Sequence, residues 1–245
     1  VIQGFGKVGF HAALYLQEGG AKVIAIADWN GAIMNKNGID IAPTFKKFLD
    51  TRKLEPGEGE TFIPNPQEAL ELECDILVPA ALEDQITLDN VYKIKAKIIA
   101  EAANGPTSPA AFSVLHDAGV LIIPDIYCNA GGVTVSYFEW LKNIQHVRLG
   151  RLTKRFDEGS QTKLLQAVES LTERKFEIEH FNNVAAGAEE ADLVNSGLEE
   201  TMVTAYQEIS GIKKKENNSI DLKTAAFISA INKIALGYLE KGIFP

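Results

Sequence analysis

Three groups of residues in this chain have types and spacing suited to chemistry. The first is Gly4-Phe5-Gly6-Lys7-Val8-Gly9, a G-x-G-x-x-G turn. In such a turn the first glycine makes the tight bend and the second lets a pyrophosphate approach the backbone. The third lets the following helix pack closely. The helix N-terminus then meets the anion with unpaired N–H groups and the positive end of its dipole. The second group is Asp28, about twenty residues further on, whose carboxylate suits the hydroxyls of an adenosine ribose and repels a 2′-phosphate. That combination favours NAD over NADP; the structural alternative is an aspartate that opens the turn Asp28-Trp29-Asn30-Gly31. The third is Asn129 and Ser136 around Gly131-Gly132, a second helix start able to hold an anion, although Asn129 alone also reads as a turn asparagine.

Those residues need a scaffold, and the pattern predicts one. Val1-Ile2-Gln3 reads as the end of a buried strand, and Val8, Ala12, Tyr15 and Leu16 recur at helical spacing until Gly19-Gly20. Val23 to Ala27 is a second strand ending at Asp28, which completes a βαβ unit around the glycine turn. Asn35 to Asp40 is a turn, and Phe45, Phe48 and Leu49 mark a short helix. Pro66–Leu72 and Leu88–Ile94 are further expected helices. The run Asp75 to Pro79 is a strand that delivers Ala80-Ala81 to the edge where open α/β sheets bind ligands. Lys97 to Glu101 is a strand, Ser108-Pro109 caps a helix running to about Asp117, and Val120 to Ile123 is the last strand. The alternation argues an α/β fold with a doubly wound parallel sheet. From about Arg148 it gives way to long amphipathic helices, with stripes such as Val194, Leu198, Met202, Ala205 and Ile209. Phe176 to Glu190 and Lys213 to Ser219 read as loops, before a last helix that ends at Gly242.

Bulk properties exclude several classes. A net charge of −9 gives no electrostatic reason to bind nucleic acid or an anionic membrane. Cys74 and Cys128, the only cysteines, make neither a disulfide framework nor a metal cluster, and the histidines His11, His116, His146 and His180 lack metal-ligand spacing. No apolar run is long enough to span a bilayer, and the N-terminus has no leader character. A chain opening three residues before the nucleotide turn reads as a fragment of a longer protein.

Taken together, Gly4 to Gly9, Pro79-Ala80-Ala81, Ala100 to Thr107 and Asn129 to Trp140 resemble the cofactor domain of the glutamate dehydrogenases, and the likeness runs through essentially the whole chain. The resemblance implies a Rossmann-like nucleotide-binding domain over 1–147, an antenna over 148–190, and a pivot helix with a C-terminal helix over 191–245. It implies that Gly4, Phe5, Gly6, Lys7, Val8 and Gly9 hold the pyrophosphate, and that Asp28 and Trp29 line the ribose. Ala80 and Ala81 would contact the cofactor through backbone. Asn104 and Asn129 would flank the nicotinamide, with Asn129 and Ser136 on the amino acid. The activity implied is NAD-dependent oxidative deamination of L-glutamate to 2-oxoglutarate and ammonia, in a homohexamer of the mitochondrial matrix. The family's catalytic lysine belongs to a domain not in this sequence, so no catalytic residue is assigned. Alternatives are a leucine, phenylalanine or valine dehydrogenase, or a non-catalytic nucleotide-binding module. Two departures stand out: Lys7 replaces an asparagine of the turn, and the Trp29 indole further disfavours a 2′-phosphate. Aligned through the same motifs, Leu14, Glu18, Ala191 and Asn195 occupy positions of the animal enzymes' GTP contacts, and Thr204 that of an ADP contact, which implies GTP insensitivity and weaker ADP activation.

Overall fold

The computed structural model describes residues 1–145, 151–187 and 189–242. It comprises two units, Val1–Asn129 with Gln207–Pro245, and Ala130–Tyr206. The domain boundary expected after residue 147, and His146, lie outside the described residues.

The first unit is built on one sheet. In chain order it contains β1 (Ile2–Gln3), α1 (Lys7–Glu18), β2 (Ala25–Asp28), β3 (Gly31–Met34), α2 (Ile41–Thr51), β4 (Thr61–Ile63), β5 (Ile76–Pro79), β6 (Ile98–Ala100), α3 (Pro109–Asp117), β7 (Leu121–Ile123) and α4 (Asp125–Cys128). The strand order is β4-β3-β2-β1-β5-β6-β7. β1 pairs in parallel with both β2 and β5, so the order reverses at β1, which is where open α/β sheets bind ligands.

Both faces of the sheet are buried. Val1, Ala25 and Leu77 enter one apolar cluster, while their neighbours Ile2, Ile26 and Val78 enter the other. Period-2 alternation with apolar residues on both faces marks a covered, doubly wound sheet, as the sequence predicts. It is not wholly parallel: β3 returns antiparallel on β2, and β4 antiparallel on β3. The run Gly31-Ala32-Ile33-Met34 is too short and too close to a turn to announce a strand. Gly31 is required there, because at φ +140° a Cβ would lie 2.5 Å from the Phe62 ring and 2.7 Å from the Ile63 carbonyl oxygen.

Three other expectations need correction. The segment expected as a helix over 88–94 holds only a 3₁₀ turn, Val91–Lys93. The Asn90 Oδ1 accepts the Thr87 backbone amide and its Nδ2 donates to the Gln85 carbonyl, and such local bonds compete with helix formation. The helix over 66–72 is likewise a 3₁₀ helix, Pro66–Glu71. The stretch 176–190 is not all loop.

In the second unit α5 (Ala130–Gln145) is followed by α6 (Arg151–Thr172) and by α7 (Ile178–Ala185), which lies in that stretch and packs on α6. α8 (Glu190–Lys215) then runs three residues into the expected polar loop, and α9 (Leu222–Lys241) ends at Gly242 with φ +77°. Within the second unit Lys142 pairs with Glu190, and Phe138 packs against Gly197. In the first, α9 buries Leu222, Ala225 and Ala226 with Ile209 and Tyr127.

Candidate functional site

The glycine turn sits at the carboxyl ends of β1 and β5, and packing alone explains two of its glycines. Gly4 has φ +89°, and a Cβ there would lie 2.7 Å from the Ala80 carbonyl oxygen. At Gly9 a Cβ would fall 1.8 Å from the Gly4 carbonyl oxygen. Gly6 differs: a Cβ there would meet nothing within 4 Å. Gly6 is also the N-cap of α1 with no side-chain cap bond, so the first amides of the helix keep their donors for an outside acceptor. An open approach over uncapped amides fits a pyrophosphate.

The flanking residues divide the labour. Phe5 is fully buried, with its ring 5.3 Å from Phe45, 5.4 Å from Phe48 and 6.3 Å from Phe10. Burial of such a side chain stabilises by about 1.5–3 kcal/mol, so the turn is anchored from beneath. Any contribution of Phe5 to a ligand is confined to its backbone. Lys7 and Val8 are exposed on the first turn of α1.

Asp28 stands at the tip of β2 and reaches back to the turn. Its Oδ2 accepts the Phe5 amide at 2.6 Å and its Oδ1 the Trp29 amide at 2.8 Å. Each carboxylate oxygen has two lone pairs, so capacity for ribose hydroxyls remains. Trp29 is 68 % exposed, and its indole N–H donates to the Arg52 carbonyl at 3.1 Å. Asn30 brackets Leu54 with two 2.9 Å bonds, one to its carbonyl and one from its amide. The β2–β3 turn is thereby tied to the end of α2.

Ala80 and Ala81 follow β5 at the adjoining sheet edge, with the Ala80 amide donating to the Gln3 carbonyl at 2.7 Å. Beyond β6, Asn104 is brought to Asn129: the Asn129 Nδ2 donates to the Asn104 Oδ1 at 2.6 Å. Both are exposed, and Asn104 Nδ2 and Asn129 Oδ1 have no hydrogen bond among the described residues. One free donor beside one free acceptor is the complement of a primary carboxamide. Ser136 lies on α5 in the second unit, where its hydroxyl donates to the Gly132 carbonyl at 3.1 Å. Leu14 is half-buried and Glu18 exposed on α1, and Ala191, Asn195 and Thr204 are exposed on α8.

Sequence reasoning overlooked a carboxylate pair under the two asparagines. Glu101 has no solvent exposure, and its Oε2 accepts the Asp125 amide at 3.0 Å. Asp125 accepts the amides of Gly105 at 2.9 Å and Ile126 at 2.8 Å, and pairs with Lys223 of α9 at 3.3 Å. Burial raises the Glu101 carboxyl above the usual range, opposed by the Thr107 hydroxyl, the Asp125 amide and Lys223. For Asp125 burial also disfavours the charge, but the two amides and Lys223 outweigh it and hold the carboxyl below its ordinary value. Burial, with those two carboxylates, pushes the neighbouring Cys128 thiol up to about 12, which leaves it inert. One signal was available: a glutamate ending the apolar run Ile98-Ile99-Ala100 stands where charges are rarely buried unless paired.

Comparison with known proteins adds an independent line. The profile of the Glutamate/Leucine/Phenylalanine/Valine dehydrogenases matches residues 1–192. The chain is 48% identical over 242 residues to a mitochondrial glutamate dehydrogenase of Dictyostelium discoideum, covering 99% of this chain and 48% of that protein. It is 38% identical over 247 residues to a glutamate dehydrogenase of Thermotoga maritima, covering 100% and 49%. The crystal structure of the hetero-hexameric glutamate dehydrogenase from Thermus thermophilus, in its leucine-bound form, superposes with a TM-score of 0.71 at 23% identity, over 100% of this chain and 47% of that one. The chain thus spans about half the length of the curated relatives it matches.

Proposed function

Since the chain belongs to the Glutamate/Leucine/Phenylalanine/Valine dehydrogenase family, we propose that it carries the nucleotide-binding part of a glutamate dehydrogenase activity, with NAD preferred over NADP. In this reading residues 1–147 form the nucleotide domain, 148–190 an antenna, and 191–245 a pivot helix with the C-terminal helix. The observation that carries it is the glycine turn at the β1/β5 switch point, tied to Asp28 through the Phe5 amide.

In the proposed complex Gly4 to Gly9 hold the pyrophosphate on the amides of α1, aided by the positive charge of Lys7. Asp28 takes the adenosine ribose, and its charge with the Trp29 indole opposes a 2′-phosphate. Backbone of Ala80 and Ala81 borders the dinucleotide, and Asn104 with Asn129 orients the carboxamide. Asn129 and Ser136 meet the amino acid. A bound nicotinamide would supply the hydride acceptor for oxidation of L-glutamate at its α-carbon, and water would then hydrolyse the imine to 2-oxoglutarate and ammonia. The preference for glutamate over leucine, phenylalanine or valine is supported by the identity to glutamate dehydrogenases. We propose further that the working assembly is a homohexamer and, on the name of the Dictyostelium discoideum relative, that its location is the mitochondrial matrix.

Titrating the chain with NADH and NADPH, followed by the fluorescence of the reduced ring, tests the reading. Saturable binding of NADH, about tenfold or more tighter than NADPH, is expected. Absence of NADH binding would overturn it.

A further inference from the structure

We infer that Glu101 is the positioning residue of the nicotinamide end, fixing the Asn104–Asn129 pair without itself touching the ligand; this rests on the nucleotide reading above. Two segments carry the asparagines, the loop after β6 and the end of α4, and Glu101 joins them twice. Its amide donates to the Ile123 carbonyl at 3.0 Å, and its Oε2 accepts the Asp125 amide at 3.0 Å. Asp125 returns the link, accepting the Gly105 amide next to Asn104. The Asn129 amide donates to the Asp125 carbonyl at 2.9 Å, and the Asn129 side chain closes the ring on Asn104 at 2.6 Å. Every step from Glu101 to the two asparagines is a named hydrogen bond.

The chain keeps this arrangement at a cost. The Glu101 carboxyl has no solvent exposure, and the Thr107 hydroxyl that acts on it makes no close hydrogen bond, nor does the Glu101 Oε1, among the described residues. A buried carboxyl held by only one close hydrogen bond persists where the surrounding structure needs its geometry. Here that geometry is the separation of two loops whose tips carry the free amide donor and acceptor.

Positioning and bulk stability make different predictions, because the nucleotide touches the protein at both ends. ADP-ribose presents the adenosine and pyrophosphate but lacks the nicotinamide. In Glu101→Asp the carboxylate is one methylene shorter and no longer reaches the Asp125 amide, whereas Glu101→Gln keeps an acceptor oxygen at full length. Binding of NADH, read by its fluorescence, and of ADP-ribose, read by calorimetry, should separate in the 245-residue chain. We expect E101D to bind NADH about tenfold more weakly while ADP-ribose stays within about twofold, and E101Q to match the parent for both. Asp125→Asn, which weakens the same ring without altering Glu101, should repeat the E101D pattern and decides the matter if E101D does not fold. Equal losses of both ligands, or a folded variant that binds NADH like the parent, would overturn the inference. A parent chain that binds neither ligand would instead refute the nucleotide reading on which it rests.

Discussion

The Phe5 amide donates to the Asp28 Oδ2 at 2.6 Å, across 23 residues of sequence. The carboxylate assigned to the ribose is therefore also the outer anchor of the glycine turn, whose inner anchor is the Phe5 ring packed on Phe45 and Phe48. One aspartate couples the shape of the phosphate site to the sign of charge at the ribose.

That double role separates two substitutions. Asp28→Asn keeps an acceptor for the Phe5 amide and removes the charge. Its NADPH to NADH affinity ratio should rise by about 5- to 150-fold, the equivalent of 1–3 kcal/mol of relieved repulsion. Asp28→Ala also frees the turn and should weaken both nucleotides, by about 1.5–3 kcal/mol for the lost charged hydrogen bond. Parallel fluorescence titrations would reveal it; an Asp28→Asn variant with an unchanged ratio would remove Asp28 from cofactor choice.

The glycines of the turn should respond differently. Gly9→Ala forces a Cβ to within 1.8 Å of a backbone oxygen and should destabilise by about 3 kcal/mol or more, because backbone cannot rotate away. Gly6→Ala meets nothing within 4 Å and should leave the unfolding free energy in urea within about 1 kcal/mol of the parent. It should nevertheless weaken NADH, since the methyl occupies the pyrophosphate approach. A Gly6→Ala chain with parental NADH affinity would show that the phosphates bind elsewhere.

Glu101 links stability to pH with a definite sign. Its carboxyl is raised in the folded chain, so the folded state holds the proton more tightly than the unfolded one. The resulting stabilisation is fully present below the ordinary glutamate value and is lost as pH rises through the folded one. Asp125, held low, acts oppositely: its contribution is present at higher pH and lost on acidification. Lys223 and Cys128 also face this carboxyl. The difference between parent and Glu101→Gln isolates the glutamate. Urea midpoints from about pH 4 to 8 should show the variant gaining on the parent as pH rises; a constant difference would mean Glu101 does not titrate in this way.

Helix caps offer a stability scale for α3 and α9. The Asp221 Oδ1 accepts the Thr224 amide at 2.7 Å and its Oδ2 the Thr224 hydroxyl at 3.0 Å. At the start of α3 the Ser108 hydroxyl accepts the Ala111 amide at only 3.4 Å. Asp221→Ala should cost about 1–2 kcal/mol and Ser108→Ala about 0.5–1 kcal/mol in chemical denaturation. The reverse order would contradict the distances.

What the sequence determined by itself was local. Gly4 to Gly9, the Ser108-Pro109 start of α3, the Gly19-Gly20 stop of α1 and the Gly242 end of α9 were legible, because a turn or cap depends on residues within a few positions. The parallel strands were legible as apolar runs between helices. Asn129 was legible beside the Gly131-Gly132 helix start, whereas Asn104 was recognisable only through the resemblance of its motif.

Tertiary structure alone decided the rest, and in each case the partner is distant in sequence. Gly31 to Met34 became a strand because Thr61 to Ile63 supplied its second neighbour, an antiparallel pairing that no local pattern encodes. Phe5 went into the core because Phe45 and Phe48 close over it, and Asn30 was fixed by Leu54, 24 residues away. The largest gap was Glu101, a charged residue at the end of an apolar strand. Its burial follows from the Asp125 amide 24 residues on, which the fold alone brings within 3.0 Å.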